Sequence, residues 1–227
     1  MTSSPQILLL GIGNVLWADE GFGVRVIEHL QKHYRFPDNV TILDGGTQGM
    51  YLVEHVQAAE VLVVFDAVDY GLPPATLKRV ANDEVPNFLG AKKISLHQTG
   101  FQEVLATAQM LGRYPTHLLL IGVQPEELDD YGGSLRASVK AQIQPAIEMA
   151  LSFLQNFGIV PMAADEIVDL ADPALDMLRY ETERPSPAQA CRIGDQRILA
   201  SGLFEARPPR TSEWPSLSVD VDYRGKY

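Results

Sequence analysis

The chain has 227 residues, 46% of them hydrophobic, and a formal net charge of −11. That length supports one substantial core, or one core plus an appendage. The acidity argues against nucleic acid as a partner, because phosphate needs clustered Lys and Arg, and Lys92-Lys93 is the nearest approach to a basic patch. No apolar run approaches the ~20 residues of a membrane span, and a single cysteine, Cys191, excludes an internal disulfide. The opening residues, MTSSPQ, carry neither the basic nor the apolar region of a secretory signal, so a cytoplasmic location is the expectation.

Residues 6–11 (QILLLG) read as a buried strand. Residues 22–34 place Val24, Ile27 and Leu30 at helical spacing, with Arg25, Glu28 and Gln31 on another face. A second strand, 40–46 (VTILDGG), ends in Asp and glycines, and Thr47 is a candidate cap for a helix over 48–58. The most apolar strand, 59–69, ends at Asp66. Residues 75–81 alternate as an edge strand does, 100–112 read as a helix and 117–123 as a strand. A long helix is predicted over 134–157, with Ser134 as its cap and a break or kink at Pro145.

Apolar strands alternating with helices point to an α/β fold, a doubly wound and mostly parallel sheet with helices on both faces, over residues 1–158. Residues 159–227 form a proline-rich C-terminal extension with two Pro-bounded helix candidates, near Asp172-Pro173 and Ser186-Pro187. Ile193, Ile198, Leu199, Leu203, Phe204 and Trp214 give this extension apolar material to bury, which a plain linker does not need.

The first strand-to-helix turn, GIGNVLWADEGFG, resembles a dinucleotide-binding loop but misses its phase. Leu16 stands where the third glycine belongs, and Asp19 and Glu20 stand where an anion would arrive. A nucleotide cofactor is therefore not expected. In open α/β sheets ligands bind beyond the carboxyl ends of the strands. That rule gathers Asp19 and Glu20 after strand one, Asp44 at the end of strand two, and Asp66 and Asp69 at the end of strand three. His97 joins them, in SLHQTG just before the 100–112 helix. An imidazole with two carboxylates suits a divalent transition metal. Each has a plainer alternative: a helix cap for Asp44, a helix-dipole partner for Glu20, a structural histidine at 97. His29 and His33 have metal-binding spacing on one helix but sit away from that rim, so a solvated face is expected, and His55 and His117 read as structural. There is no Gly-x-Ser-x-Gly elbow. Cys191 has no neighbouring histidine, and Met50, Met110 and Met149 fit packing.

Five ordered blocks, GIGNVLWADEGFGVRV, LDGGTQGM, VVFDAVDYG, KKISLHQTGFQEVL and IGVQPEELDDYGGSLR, closely resemble the maturation endopeptidases of nickel–iron hydrogenases, peptidase family M52. The resemblance spans residues 6–158, and LWADEGFG and DDYGGSL look most like members serving membrane-bound uptake hydrogenases. It implies an endopeptidase that removes the C-terminal extension of the nickel-loaded large-subunit precursor. It also implies metal contacts from Glu20, Asp66 and His97, with nickel brought by the substrate and cadmium or zinc able to take the site in vitro. Asp44 matches a further acidic position, in a supporting shell or in substrate binding, and Asp66 is suited to general-base work where it is not committed to metal. A stationary metal that activates water is the competing mechanism. A non-catalytic, metal-sensing chaperone of the large subunit is the competing function.

Overall fold

The computed structural model describes residues 4–89, 96–128, 130–164 and 175–183, with side chains described for all of these except 87–89, 96–99 and 183. Five strands build the main sheet: β1 (Ile7–Ile12), β3 (Val40–Gly46), β4 (Val61–Ala67), β5 (Leu77–Ala81) and β6 (His117–Val123), in the order β3-β1-β4-β6-β5. All neighbours pair in parallel except β5, which runs antiparallel to β6 at the edge, where its alternating sequence placed it. The sheet is a mostly parallel α/β sheet with helices on both faces, as the sequence implies.

Side-chain alternation divides the core in two. Ile7, Leu9, Val63, Phe65, Leu119 and Ile121 face α1 (Phe22–His33), α5 (Ala137–Lys140) and α6 (Ile143–Leu154). Leu8, Leu10, Leu62, Val64, Leu118 and Leu120 face α2 (Val53–Ala58), α3 (Glu84–Leu89) and α4 (Leu96–Met110). The central strands read as unbroken apolar runs because both faces are covered. Each such Leu, Ile or Val contributes roughly 1.5–3 kcal/mol by leaving water.

Several local expectations are corrected. Thr47 does not cap the second helix: a 3-10 turn, Gly49–Leu52, leads into α2 behind Gln48, and Gly46 and Gly49 take positive φ. The stretch 134–157 is two helices and a terminal 3-10 turn, Gln155–Phe157. Its break falls at Ala141-Gln142, so that Pro145 lies in the first turn of α6, where no helical N–H is needed. Ser134 caps nothing; its hydroxyl donates to Glu181 instead. The short α3 was not anticipated. Two-residue strands β2 (Tyr34–Arg35) and β7 (Met162–Ala163) form a separate antiparallel pair.

The compact unit runs from Met1 to Arg184 and so takes in α7 (Met177–Glu183), which the sequence division after Gly158 assigned to the extension. The helix expected near Ser186, Cys191 and the apolar residues beyond it lie outside the described residues.

Candidate active site

The first turn of the fold explains its glycines without a phosphate. A Cβ on Gly11 would lie 2.3 Å from the Gly23 carbonyl oxygen and 2.5 Å from Ile27 Cγ1. One on Gly23 would lie 2.1 Å from the Phe65 carbonyl oxygen. Helix α1 is therefore pressed directly onto the ends of β1 and β4, and these glycines serve close packing.

Beyond β1, the 3-10 turn Ala18–Gly21 carries Asp19 and Glu20. Asp19 is wholly buried. Its Oδ2 accepts from the backbone N–H groups of Glu126 (2.8 Å) and Glu127 (2.9 Å), and its Oδ1 accepts from Arg136 N–H (2.7 Å). Ala18 N–H donates to Gly133 O, Gly132 N–H to Leu16 O, and the Trp17 and Tyr131 rings meet edge to face. Asp19 thus ties the Glu20 loop to the loop after β6. Strand-end placement groups it with Glu20 as a rim carboxylate, but its oxygens are engaged by backbone donors. Ala18 holds φ at 38°, a conformation that favours glycine, which fits a loop fixed from several sides. Glu20 stands in the same turn, half-buried and adjacent to β4.

Asp66 is fully buried at the carboxyl end of β4. Its Oδ1 accepts from Ala67 N–H at 2.8 Å. By alternation it follows Leu62 and Val64 and projects to the face covered by α4. His97 is the second residue of α4, so it lies within the helix's first turn rather than in the loop before it. Its side chain lies outside the described residues. Backbone placement sets the Glu20 turn against β4, the strand that Asp66 ends, and puts α4 over the face to which Asp66 projects. Among the described residues no group of three His, Cys, Asp or Glu side chains is placed to hold a metal.

Beside Asp66, the chain turns back so that Tyr70 lies over β6, its backbone N–H held by Gln124 Oε1 at 2.8 Å. Burial raises the Tyr70 phenol well above its ordinary pKa, and the Asp66 charge adds to this. Gln124 also accepts from Leu72 N–H and donates to Asp69, so this one side chain shapes the whole loop after β4.

Asp44 departs the other way. It follows Val40 and Ile42, whose face is that of α1. Its Oδ1 accepts from Gly46 N–H at 2.9 Å. Its pKa is raised by partial desolvation, against the Gly46 bond and the attraction of Arg25. Arg25 is 3% exposed and is the hub of this side. It donates to both Glu28 oxygens (2.9 and 2.8 Å) and to the Leu175 carbonyl (2.6 Å), and lies over the Tyr180 ring. Glu181 of α7 accepts from Ser134 and Lys140, each at 2.8 Å. Burial would raise Glu181, but those two donors hold its pKa below the usual range. The sequence reading missed Arg25; an Arg on an otherwise apolar first helical turn was its only signal.

The remaining histidines are remote. His29 and His33 are half-buried with rings 4.3 Å apart, rather than solvated, and burial lowers the His29 pKa. His117 packs on Phe157 at 5.0 Å.

The family model for hydrogenase maturation proteases matches residues 24–153. The chain belongs to the hydrogenase maturation protease family. It is 66% identical over 205 residues to the hydrogenase expression/formation protein HupD of Thiocapsa roseopersicina, covering 88% of this chain and 93% of that one. To the HoxM protein of Azotobacter vinelandii it is 61% identical, covering 89% of this chain and 99% of that one. Its fold matches the hydrogenase maturating endopeptidase HybD from Escherichia coli with a TM-score of 0.66 and 39% identity, over 70% of this chain and 97% of that one. The chain is accordingly a hydrolase of the endopeptidase class. Among the described residues, no helix is long and apolar enough to cross a membrane.

Proposed function

We propose that this maturation protease removes the C-terminal extension of the nickel-loaded large-subunit precursor of a nickel–iron hydrogenase, and that it works in the cytoplasm. Nickel is the substrate's cargo and the recognition element, met by Glu20, Asp66 and His97. The donor set suits that ion: two carboxylates and an imidazole match a borderline divalent metal. The observation that carries the reading is the wholly buried Asp66 carboxylate at the end of a central strand. Ligands of open α/β sheets bind beyond the carboxyl ends of the strands, and this carboxylate faces the layer of α4, whose first turn includes His97. Cadmium or zinc would take the same donors in vitro. Asp66 is the candidate general base where it is not committed to metal, and Asp44 is the candidate for a supporting shell or for substrate binding, on the α1 side.

Incubation with nickel-loaded and nickel-free precursor tests this directly. Cleavage of the loaded form alone is expected, seen as a mobility shift. A stable complex with no shift would replace the protease reading by a chaperone that senses metal. In a folded His97→Ala variant, calorimetry is expected to show weakened nickel or cadmium binding, and an unchanged affinity removes His97 from the site.

A further inference from the structure

Glu20 lies in a turn held from two sides. Along the chain, that turn (Ala18–Gly21) runs directly into α1. Across the rim it is bonded to the far part of the loop after β6. Ala18 N–H donates to Gly133 O at 3.1 Å, Gly132 N–H to Leu16 O at 2.6 Å, and Arg136 N–H to Asp19 Oδ1 at 2.7 Å. Helix α7 touches both supports. Its leading end is seated on α1: Arg25, in the first turn of α1, donates to the Leu175 carbonyl at 2.6 Å and lies 5.9 Å from the centre of the Tyr180 ring. Its other end reaches the loop. Glu181 Oε1 accepts from Ser134 Oγ at 2.8 Å, and Oε2 accepts from Lys140 Nζ at 2.8 Å. Ser134 stands between Gly133 and Arg136, the two residues that hold Ala18 and Asp19. One carboxylate therefore joins the middle of the loop–turn joint to α5, and one helix joins it to α1. The ion pair between Arg136 and Asp130, at 3.0 Å, links two residues of the same loop and does not fix that loop to the rest of the fold. A helix docked for stability alone would be served by the Arg25 contacts; the Ser134 bond carries it onto the rim. Helix α7 also lies beyond residues 24–153, the stretch that the family model matches.

We propose that α7 is a strap across the rim, and that Glu181 is a positioning residue for Glu20, acting through Ser134 and the loop–turn joint. The role rests on the reading above, in which Glu20 meets the metal.

Ser134→Ala removes the hydroxyl that ties the loop to α7, and Glu181→Ala removes both bonds at once. Amide hydrogen exchange of the full chain, read residue by residue, needs neither substrate nor metal. In Ser134→Ala the N–H groups of Ala18, Gly132 and Arg136 are expected to exchange roughly threefold to tenfold faster. Those of Val63 and Leu120, buried at the centre of the sheet, are expected to stay within about twofold. A helix that served only global stability would show the reverse, because central strand amides exchange by global unfolding. Ser134→Thr keeps the hydroxyl and is expected to exchange as the wild type does. Calorimetry with cadmium alone is the second measurement, and a roughly threefold or greater loss of affinity is expected in Ser134→Ala and in Glu181→Ala. If Glu181→Ala does not fold, Ser134→Ala carries both tests. Wild-type exchange at the three joint amides overturns the strap, and wild-type cadmium affinity in a variant with faster exchange overturns the positioning of Glu20. If the wild-type protein itself binds no cadmium, the metal reading falls, and exchange alone decides whether α7 holds the turn.

Discussion

Asp44 and Asp66 both stand at the carboxyl ends of parallel strands, and a rule that looks only at strand ends treats them alike. The fold separates them. Asp66 closes a central strand, has no exposed surface and projects toward α4. Asp44 closes the edge strand β3, is exposed, and projects toward α1, within the field of Arg25 and Glu28. The carboxyl-end rule selects an edge of the sheet, and the parity of the residue within its strand then selects the side. Here one side carries a buried acid that ends a central strand, on the face covered by α4. The other carries an ion cluster that anchors α7.

The largest effect expected from breaking this contrast comes from Asp66→Asn. The amide keeps the shape and an acceptor for Ala67 N–H but removes the charge. Processing of loaded precursor is expected to fall by on the order of a hundredfold or more with the fold retained by circular dichroism. Near-normal processing would remove Asp66 from both metal and base roles.

Next is Asp19→Ala, aimed at the joint between the two rim loops. It removes the buried acceptor of three part-buried backbone hydrogen bonds, and a lost hydrogen bond to a charged group costs about 1.5–3 kcal/mol, less where water reaches the donor. A loss of roughly 2–3 kcal/mol in denaturant unfolding is expected. Glu20→Gln, one residue along, is expected to leave stability within about 0.5 kcal/mol while impairing nickel binding. If Asp19→Ala unfolds like the wild type, Asp19 is not the tie between the loops.

On the α1 side, a chain ending after Ala164 keeps buried Ile159 and strand β7 but loses α7. The Arg25 guanidinium loses the Leu175 carbonyl, and Lys140 loses Glu181. A stability loss of about 2 kcal/mol is expected, mostly from the buried guanidinium, since the half-exposed Lys140–Glu181 pair adds little. Because 97% of the E. coli endopeptidase aligns with 70% of this chain, the shortened protein is expected to fold. Measuring precursor cleavage alongside settles whether α7 also serves recognition; an unchanged rate assigns it to stability alone.

Much of this was legible in the sequence, for identifiable reasons. Strands buried on both faces announce themselves as apolar runs, so β1, β4 and β6 were placed within two residues or so. The alternation of 75–81 gave the edge strand. The five motif blocks gave the family. Other features depend on partners distant in sequence. Asp19 looked like a ligand because its three backbone donors lie more than 100 positions away. Ser134 looked like a cap because Glu181 was invisible to local reading. The glycines of the first turn looked like a phosphate motif because the close approach of α1 to β1 and β4 demands the same residue. The Tyr70–Gly122 pairing joins residues 52 positions apart and has no local signature.

The smallest expected effect, in Asp44→Asn, is also the sharpest test of the two-sided picture. A carboxylate whose folded pKa is raised favours the folded state most when protonated. Its contribution is complete below the ordinary aspartate value, ~3.9, and is lost as pH rises through the higher folded value. At neutral pH the Asp44 charge therefore opposes folding, since partial desolvation outweighs the Gly46 bond and the pull of Arg25. It also acts on Glu28, whose pKa is raised chiefly by burial, with the Asp44 charge adding to this. Asparagine keeps an oxygen for Gly46 N–H and removes the charge. A slightly higher Tm at pH 7 is expected, with the gain vanishing as the buffer is taken below the ordinary aspartate pKa. A lower Tm at pH 7 would mean that Arg25 needs the Asp44 charge more than desolvation opposes it. Precursor processing by the same variant then reads the coupling between the faces. A rate within about threefold of wild type, less than 1 kcal/mol in barrier, leaves Asp44 as part of the Arg25 cluster. A drop as deep as that of Asp66→Asn would show that substrate reaches across the edge of the sheet and engages both aspartates.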